Sequence, residues 1–478
     1  MFVPRTGGHF PPKKLLVFCL SLSALSSCAL EPRPVERIAE QKENLSSSPR
    51  EQLIAFRADD RTGVSLPKID EGATLADYRL HAALNNPGLE ALYHDWQAAR
   101  ERAPQARSLP EPRLSYTEFL EEVETRVGPQ ERKFGLSQKF PWFGTLSLRG
   151  EIEEEAARIA WQRLLAAQLV LDVQLRRVYS NYYFLARSRE VTRENIDLLL
   201  RLEGVATQKL AAGADNHPAV IRLQIEIGRL EDRLRSFEDR RRPLTARLNA
   251  LLNRAPQTVI PWPTKSERSD REEVPDDELF RFVEENNPDL IALQHQIRRA
   301  DLDRRLTEKA YFPDFSVGVE TVETGAAVQS NTHGSGNDPW TLMFSVEIPI
   351  WYSKYRSGER EAEARWRSAR KRETNRRNQL RAELELALYE RRDASRRISL
   401  HTDILVPKSI ESLRATEESF RSGSADFLDL IDAQRVLLEF RLAMERAMAD
   451  RMKSEAAIDR LMGRFVIPYP REREEVSS

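Results

Sequence analysis

Apolar and polar positions along this chain change their period in a fixed order, and the order then repeats. Leu89, Leu92 and Trp96 stand at helical spacing in a first segment, Leu75 to about Ala103. Leu290, Leu293 and Ile297 do the same from Asp277 to about Lys309. Pro110 and Pro112 stop the first helix and Pro313 stops the second. A period of two follows. Phe315, Val317 and Val319 alternate with Ser316, Gly318 and Glu320, and Leu342, Phe344, Val346, Ile348 and Ile350 alternate with Thr341, Met343, Ser345 and Glu347. This is the pattern of strands with one greasy and one wet face, expected at about 313–325 and 340–350. The loop between them, GAAVQSNTHGSGNDP, reads as exposed. A weaker alternation through Leu114, Tyr116, Phe134, Leu136, Gln138 and Phe140 puts the matching strands at about 112–124 and 131–141.

Then the helical period returns and does not stop. From about 147 to 211 there is no proline, and the corresponding stretch from about 359 to 422 is interrupted only by Pro407. Some 65 residues at 1.5 Å each make a rod of roughly 100 Å. Leu164, Leu171, Leu175, Val178, Tyr182 and Leu185 give the first rod coiled-coil-like spacing, while the second has a thinner stripe of Leu380, Leu384, Ala387, Ala394 and Ile398. Such rods need lateral partners. Gly213 and Gly423 break them, and return helices are expected at 218–253 and 426–462, with Pro218 in a first turn and Asp426 as an N-cap. Pro243 and Pro407 are expected to kink or split their helices.

The repetition is also literal. Asn85-Asn86-Pro87 recurs as Asn286-Asn287-Pro288, Gly213 matches Gly423, and Arg254 ending LNALLNR matches Arg464 ending IDRLMGR. Two related halves, 75–255 and 276–465, are therefore expected, joined by a Pro- and charge-rich connector at 256–275 and followed by a polar tail at 466–478.

Ahead of them lies an export signal. Arg5, Lys13 and Lys14 precede an apolar core, Leu15 to Leu25, and a small-residue site, Ser26-Ser27-Cys28. The core is too short to span a bilayer, so residues 1–27 are expected to be removed, leaving 28–74 as an N-terminal arm. The segment resembles a bacterial lipobox, which implies a covalent lipid, as on a palmitoylated lipoprotein, at Cys28. Ala29 in place of Asp implies the outer membrane. Cys19 leaves with the peptide, so no thiol remains for a disulfide or a cysteine metal site.

Composition then removes function classes. The chain has 478 residues with a formal charge of −1, which gives no nucleic-acid signal. The seven histidines (His9, His81, His94, His217, His295, His333, His401) form no metal-ligand spacing, and no phosphate loop or catalytic constellation appears. An enzyme is not expected, and neither is a cofactor other than the lipid.

The repeated order of helix, strand pair, very long helix, glycine turn and return helix resembles the outer membrane factor (TolC-type) family of efflux ducts. NNPxL at 85–89 and 286–290, QKFPWFG from Gln138 and EIPIW from Glu347 carry the likeness. QKFPWFGTLSLRGE is most similar to the branch serving heavy-metal exporters, the CusC/CzcC-like one. The resemblance implies a membrane β-barrel plus a long α-helical barrel, with two repeats and four strands per protomer and a trimer forming a 12-stranded barrel. It also implies two further copies of the chain, a periplasmic membrane-fusion adaptor and an RND-type inner-membrane pump as partners. The function so implied is passive passage of solutes, heavy-metal cations among them, through the outer membrane. A drug or organic-solute duct of the same fold and a non-channel coiled-coil envelope lipoprotein are the alternatives.

Residue by residue, Phe315, Val317, Val319, Leu342, Phe344, Val346 and Ile348 are expected to face lipid, with Ser316, Glu320, Thr341 and Glu347 toward the lumen. A charge on the lipid face is costly. Gly213, Asp215, Gly423, Asp426 and Asp429 are expected at the periplasmic turns. There the acids could narrow the bore as a cation-favouring ring, or Asp426 could simply cap its helix. No resident metal site is expected.

Overall fold

The computed structural model describes residues 66–211, 217–263, 274–329, 331–422 and 424–464. Cys28, Gly213, Asp215 and Gly423 lie outside them. In chain order the elements are α1 (Leu75–Asn85), α2 (Pro87–Arg100), α3 (Arg102–Arg107), β1 (Arg113–Val123), β2 (Gln130–Phe140), α4 (Thr145–Ala211) and α5 (His217–Leu251). The second half supplies α6 (Asp276–Asn286), α7 (Pro288–Lys309), β3 (Asp314–Thr324), β4 (Trp340–Glu347), α8 (Tyr352–Leu400), a π-turn (His401–Leu405), α9 (Val406–Ser422) and α10 (Phe427–Leu461).

The expected membrane β-barrel with a helical barrel is corrected by this arrangement. The fold is mostly helical, and its strands make one open antiparallel sheet in the order β1-β2-β3-β4 rather than a closed wall. β1 and β4 are edge strands, and four strands fall well short of the eight with which membrane barrels begin. Among the described residues, no helix is long and apolar enough to cross a membrane.

Each opening helix, expected to be continuous, is broken at its Asn-Pro step. Asn86 and Asn287 adopt extended backbone, and their side chains accept hydrogen bonds from the next helix, from Gly88 and Leu89 in one half and from Asp289 in the other. Pro87 and Pro288 then occupy a first turn, where a missing N–H leaves nothing unsatisfied. The apolar period carries across the break, which hides it from the sequence pattern.

The same motif anchors the far end of each half. Asn85 Nδ2 donates to the Leu252 carbonyl at 3.0 Å, and Asn287 Nδ2 to the Leu461 carbonyl at 2.8 Å. Both return helices finish in a Schellman turn, in which Arg254 and Arg464 N–H donate back to Asn249 and Asp459. The left-handed position is Asn253 (φ 55°) in the first half and Gly463 (φ 67°) in the second. NNP and the LLNR/LMGR ends are thus two sides of one contact.

The 67-residue α4 runs for roughly 100 Å. Its stripe of Leu164, Leu171, Leu175, Val178, Tyr182 and Leu185 is buried as expected, and the rod packs against α2, α3, α5, α7 and α10. The second rod is not continuous. Pro407 has no N–H to give the carbonyl four residues back, and the chain widens into a π-turn just before it, where Val406 N–H reaches the His401 carbonyl. Pro243, by contrast, does not split α5. At the distal end Leu199, Leu223, Leu413, Phe420, Phe427 and Leu430 pack α4, α5, α9 and α10 together. Leu279, Leu290, Leu380, Leu384 and Leu461 join α6, α7, α8 and α10.

Candidate functional site

The sheet register sorts the strand residues into two faces. Leu114, Leu136, Val319 and Leu342 stand abreast across all four strands, as do Tyr116, Phe134, Thr321 and Trp340. Gln138, Val317 and Phe344 form a third row, and Phe140, Phe315 and Val346 a fourth. Phe315 lies 5.6 Å from Phe140 and 6.3 Å from Phe344 between ring centres, a stacked ladder across three strands. All but one of the residues expected toward lipid therefore share one face. Ile348 lies just past the end of β4. The face is uncovered within the chain: Leu342 is 79 % exposed, Leu114 70 % and Phe344 68 %. A bare apolar surface of this kind belongs against another apolar medium or another chain.

Ser316, Glu320, Thr341 and Glu347 fall on the opposite face, where β2 contributes lysines. Lys133 Nζ lies 2.5 Å from Glu320, and Lys139 Nζ is 2.7 Å from Glu347 and 3.2 Å from Asp314. Both acids expected toward the lumen are thus paired, a feature the sequence reading did not include. The signal for it was the alternation of Lys133 and Lys139 with Phe134, Leu136, Gln138 and Phe140. Gly135 makes room for this side of the sheet, since a Cβ there would sit 2.6 Å from Ser115 Oγ and 3.1 Å from Glu320 Cγ.

Where the strands meet the helices, rings gather. Trp142 stacks on Phe312 at 5.0 Å, Phe143 lies 6.0 Å from Phe315, and Tyr311 is 6.5 Å from Tyr352 and 5.5 Å from Tyr355. Trp142 N–H also donates to Asp314 Oδ1. At the other end of the strands the β3–β4 loop bonds to the β1–β2 turn through Gly336 N–H and the Val127 carbonyl. His333 sits in this loop, and among the described residues no cluster of three or more His, Cys, Asp or Glu could hold a metal ion.

At the distal turns, Asp426 and Asp429 are brought together by a reciprocal capping box at the start of α10. Asp426 Oδ1 accepts from Phe427 N–H at 2.6 Å, and Asp429 Oδ2 accepts from Asp426 N–H at 3.1 Å.

Between these ends the rods are tied by charges that the sequence reading missed. Arg79 pairs with Asp172 through both guanidinium and carboxylate edges, and Arg176 joins Asp172 to Asp459, all four side chains being at most 4 % exposed. Asp172 and Arg176 sit among Leu171, Leu175 and Val178, so the apolar stripe conceals them. Glu445 accepts from both Tyr183 and Arg187. Glu383 is held between Arg376 and Arg460; burial opposes its ionisation, but the two guanidinium bonds prevail and keep its carboxyl below the usual glutamate range. The start of the connector is fastened too. Trp262 stacks on Tyr182 at 5.1 Å between ring centres, the Arg241 guanidinium lies 4.5 Å from the Trp262 ring centre, and the Ile260 carbonyl accepts from Tyr182 Oη and Arg241.

Residues 281–464 match the outer membrane efflux protein family. The chain is 24 % identical over 393 residues to outer membrane protein OprJ of Pseudomonas aeruginosa, covering 80 % of this chain and 77 % of that protein. The outer-membrane channel OprN superposes with a TM-score of 0.70 at 17 % identity, over 87 % of this chain and 96 % of its own. CusC, whose structures are described with transmembrane channel formation, gives 0.70 at 16 % identity, over 85 % and 96 %. The equal scores single out no metal-exporter branch. In sequence, residues 281–464 thus resemble the outer membrane efflux protein family, and the described fold resembles that of solved outer-membrane channels.

Proposed function

We propose that this chain is the outer-membrane duct of a tripartite efflux system, working as a homotrimer that receives solute from a periplasmic membrane-fusion adaptor and an RND-type pump. The likeness of residues 281–464 to the outer membrane efflux protein family, and of the chain to OprJ, supports an outer-membrane location and a general, non-catalytic channel role in efflux. The observation that carries the finer reading is the two-faced sheet: an uncovered apolar face suited to acyl chains, and behind it a polar face of paired charges suited to water. In this reading Phe315, Val317, Val319, Leu342, Phe344 and Val346 face lipid, and Ser316, Glu320, Thr341 and Glu347 face the water-filled path. The rods carry the path onward toward the adaptor. A lipid on Cys28 adds acyl chains to a protein already held by its sheet.

Such a duct performs no chemistry, so its cargo is chosen by the pump that feeds it. Comparing metal and drug accumulation in cells lacking the chain assigns that cargo to heavy-metal cations or to organic solutes. The decisive test of the duct itself is fractionation of Cys28→Ser. This variant should still require detergent and should still give stepwise conductance in planar bilayers. A C28S protein that stays in solution without detergent overturns the reading in favour of a lipid-tethered scaffold.

A further inference from the structure

Three passages of the chain join helix to strand at the ring cluster: β2 to α4, α7 to β3, and β4 to α8. Each carries cations beside its rings. Lys309 Nζ lies 5.9 Å from the centre of Phe312, and a Cβ on Gly144 would be 3.8 Å from that ammonium, which places it at the start of α4. Lys354 Nζ lies 5.8 Å from the centre of Tyr355. Arg149 and Arg356 are exposed one or two turns into their rods. Among the described residues these four cations make no ion pair, although acids stand nearby. Glu359 bonds to Tyr311, Asp314 and Glu347 are taken by Lys139, Glu308 by Arg304, and Glu151 by Ser147. Farther along α8, by contrast, Arg365, Arg367 and Arg377 each pair with a glutamate one turn away.

Aromatic rings favour the boundary between acyl chains and water, and long basic side chains there lay their stems along the rings and hold their charges at headgroup level. We propose that this collar, centred on Arg149, Lys309, Lys354 and Arg356, binds the phosphates of anionic phospholipids in the leaflet that faces the helices. The inference rests on the lipid-facing reading of the sheet. It makes the protein selective for the lipid around it as well as held by it.

The test uses the full chain in detergent with equal amounts of phosphatidylglycerol and phosphatidylcholine added, and bound lipid counted by native mass spectrometry. The wild type should retain phosphatidylglycerol preferentially, and Lys354→Gln should lower that preference by about five-fold, the contribution of one cation near a charged leaflet. The combined R149Q, K309Q, K354Q and R356Q variant should abolish it. Lys371 and Arg372, which lie farther along α8 and also lack ion pairs, serve as the control, and K371Q/R372Q should keep the preference. Equal retention of the two lipids by the wild type, no change in K354Q, or equal loss in the control overturns the proposal. Flotation with vesicles of phosphatidylcholine alone separates the two readings. A chain that fails to float overturns the sheet assignment, whereas one that floats without lipid preference overturns only the collar.

Discussion

Arg176 Nη1 donates to Asp459 Oδ2 at 2.6 Å, joining a rod of the first half to the return helix of the second with both side chains almost completely buried. A buried pair gains little over apolar packing but is costly to break from one side. Asp459→Leu, which strands Arg176 beside Asp172, should destabilise the protein by about 3–5 kcal/mol. Thermal unfolding of the full chain in detergent measures this. Adding Arg176→Met should recover part of the loss, and a double variant as unstable as the single one would contradict the pairing.

Glu383 gives the acid dependence. Its carboxyl is depressed in the folded chain by Arg376 and Arg460, so the unfolded chain takes up the proton first as pH falls. The stabilisation is complete above the ordinary value of 4.5 and is lost as pH drops through the lower folded value. Glu383→Gln should therefore be less stable than wild type at neutral pH, with the difference closing in acid. Melting temperatures of the two proteins between neutral pH and pH near 3 test this; a difference that widens in acid would reverse the sign.

Gly463 and Asn253 occupy the same left-handed position in the two halves, with unequal tolerance. A Cβ at Gly463 would lie 2.4 Å from the Asn286 carbonyl oxygen, on top of a φ of 67°. Gly463→Ala should cost more than the roughly 1–2 kcal/mol of left-handed strain alone. Asn253→Ala bears only that strain. Urea unfolding of the two variants ranks them, and equal costs would mean that the backbone yields at Asn286.

Asp426 serves as a cap whatever else it does, and substitution can separate the roles. Asn caps about as well as Asp, whereas Ala costs about 1 kcal/mol. Asp426→Asn should keep the melting temperature, while Asp426→Ala lowers it. If the charge also lines the aperture, D426N reduces cation over anion permeability in planar bilayers. Unchanged selectivity assigns Asp426 to the cap alone.

On the proposed lipid-facing side of the sheet, Phe344→Arg should hinder membrane incorporation by about 2–4 kcal/mol. Thr341→Arg, on the other face, should be tolerated. Incorporation into vesicles, assayed by flotation, compares them, and equal effects would remove the distinction between the faces.

Three strands were legible to within a residue at each end, because a period of two survives even where its contrast is weak, as through Phe134, Leu136 and Phe140; β4, expected to 350, ends at Glu347. The caps at Asp426 and Pro218 were legible because short polar or cyclic side chains at helix starts have few other uses. Tertiary pairing was not. Lys133 meets Glu320 only through the β2–β3 register, and Asp172 finds Arg79 across 93 positions of chain. The breaks at Asn86 and Asn287 stayed hidden because apolar spacing continues through them. Closure of the sheet was the largest error: alternation reports two faces and carries no information on where a sheet's edges go.

The π-turn at His401–Leu405 has a further consequence for the duplicated plan. One extra residue in a helix turns everything beyond it by about 100° around the axis. α9 therefore presents a different side to its neighbours than a straight continuation of α8 would, while α4 keeps one phase along its whole length. The two halves of the chain are copies in order of elements but not in winding, so any twisting of the distal end will be borne unequally by them.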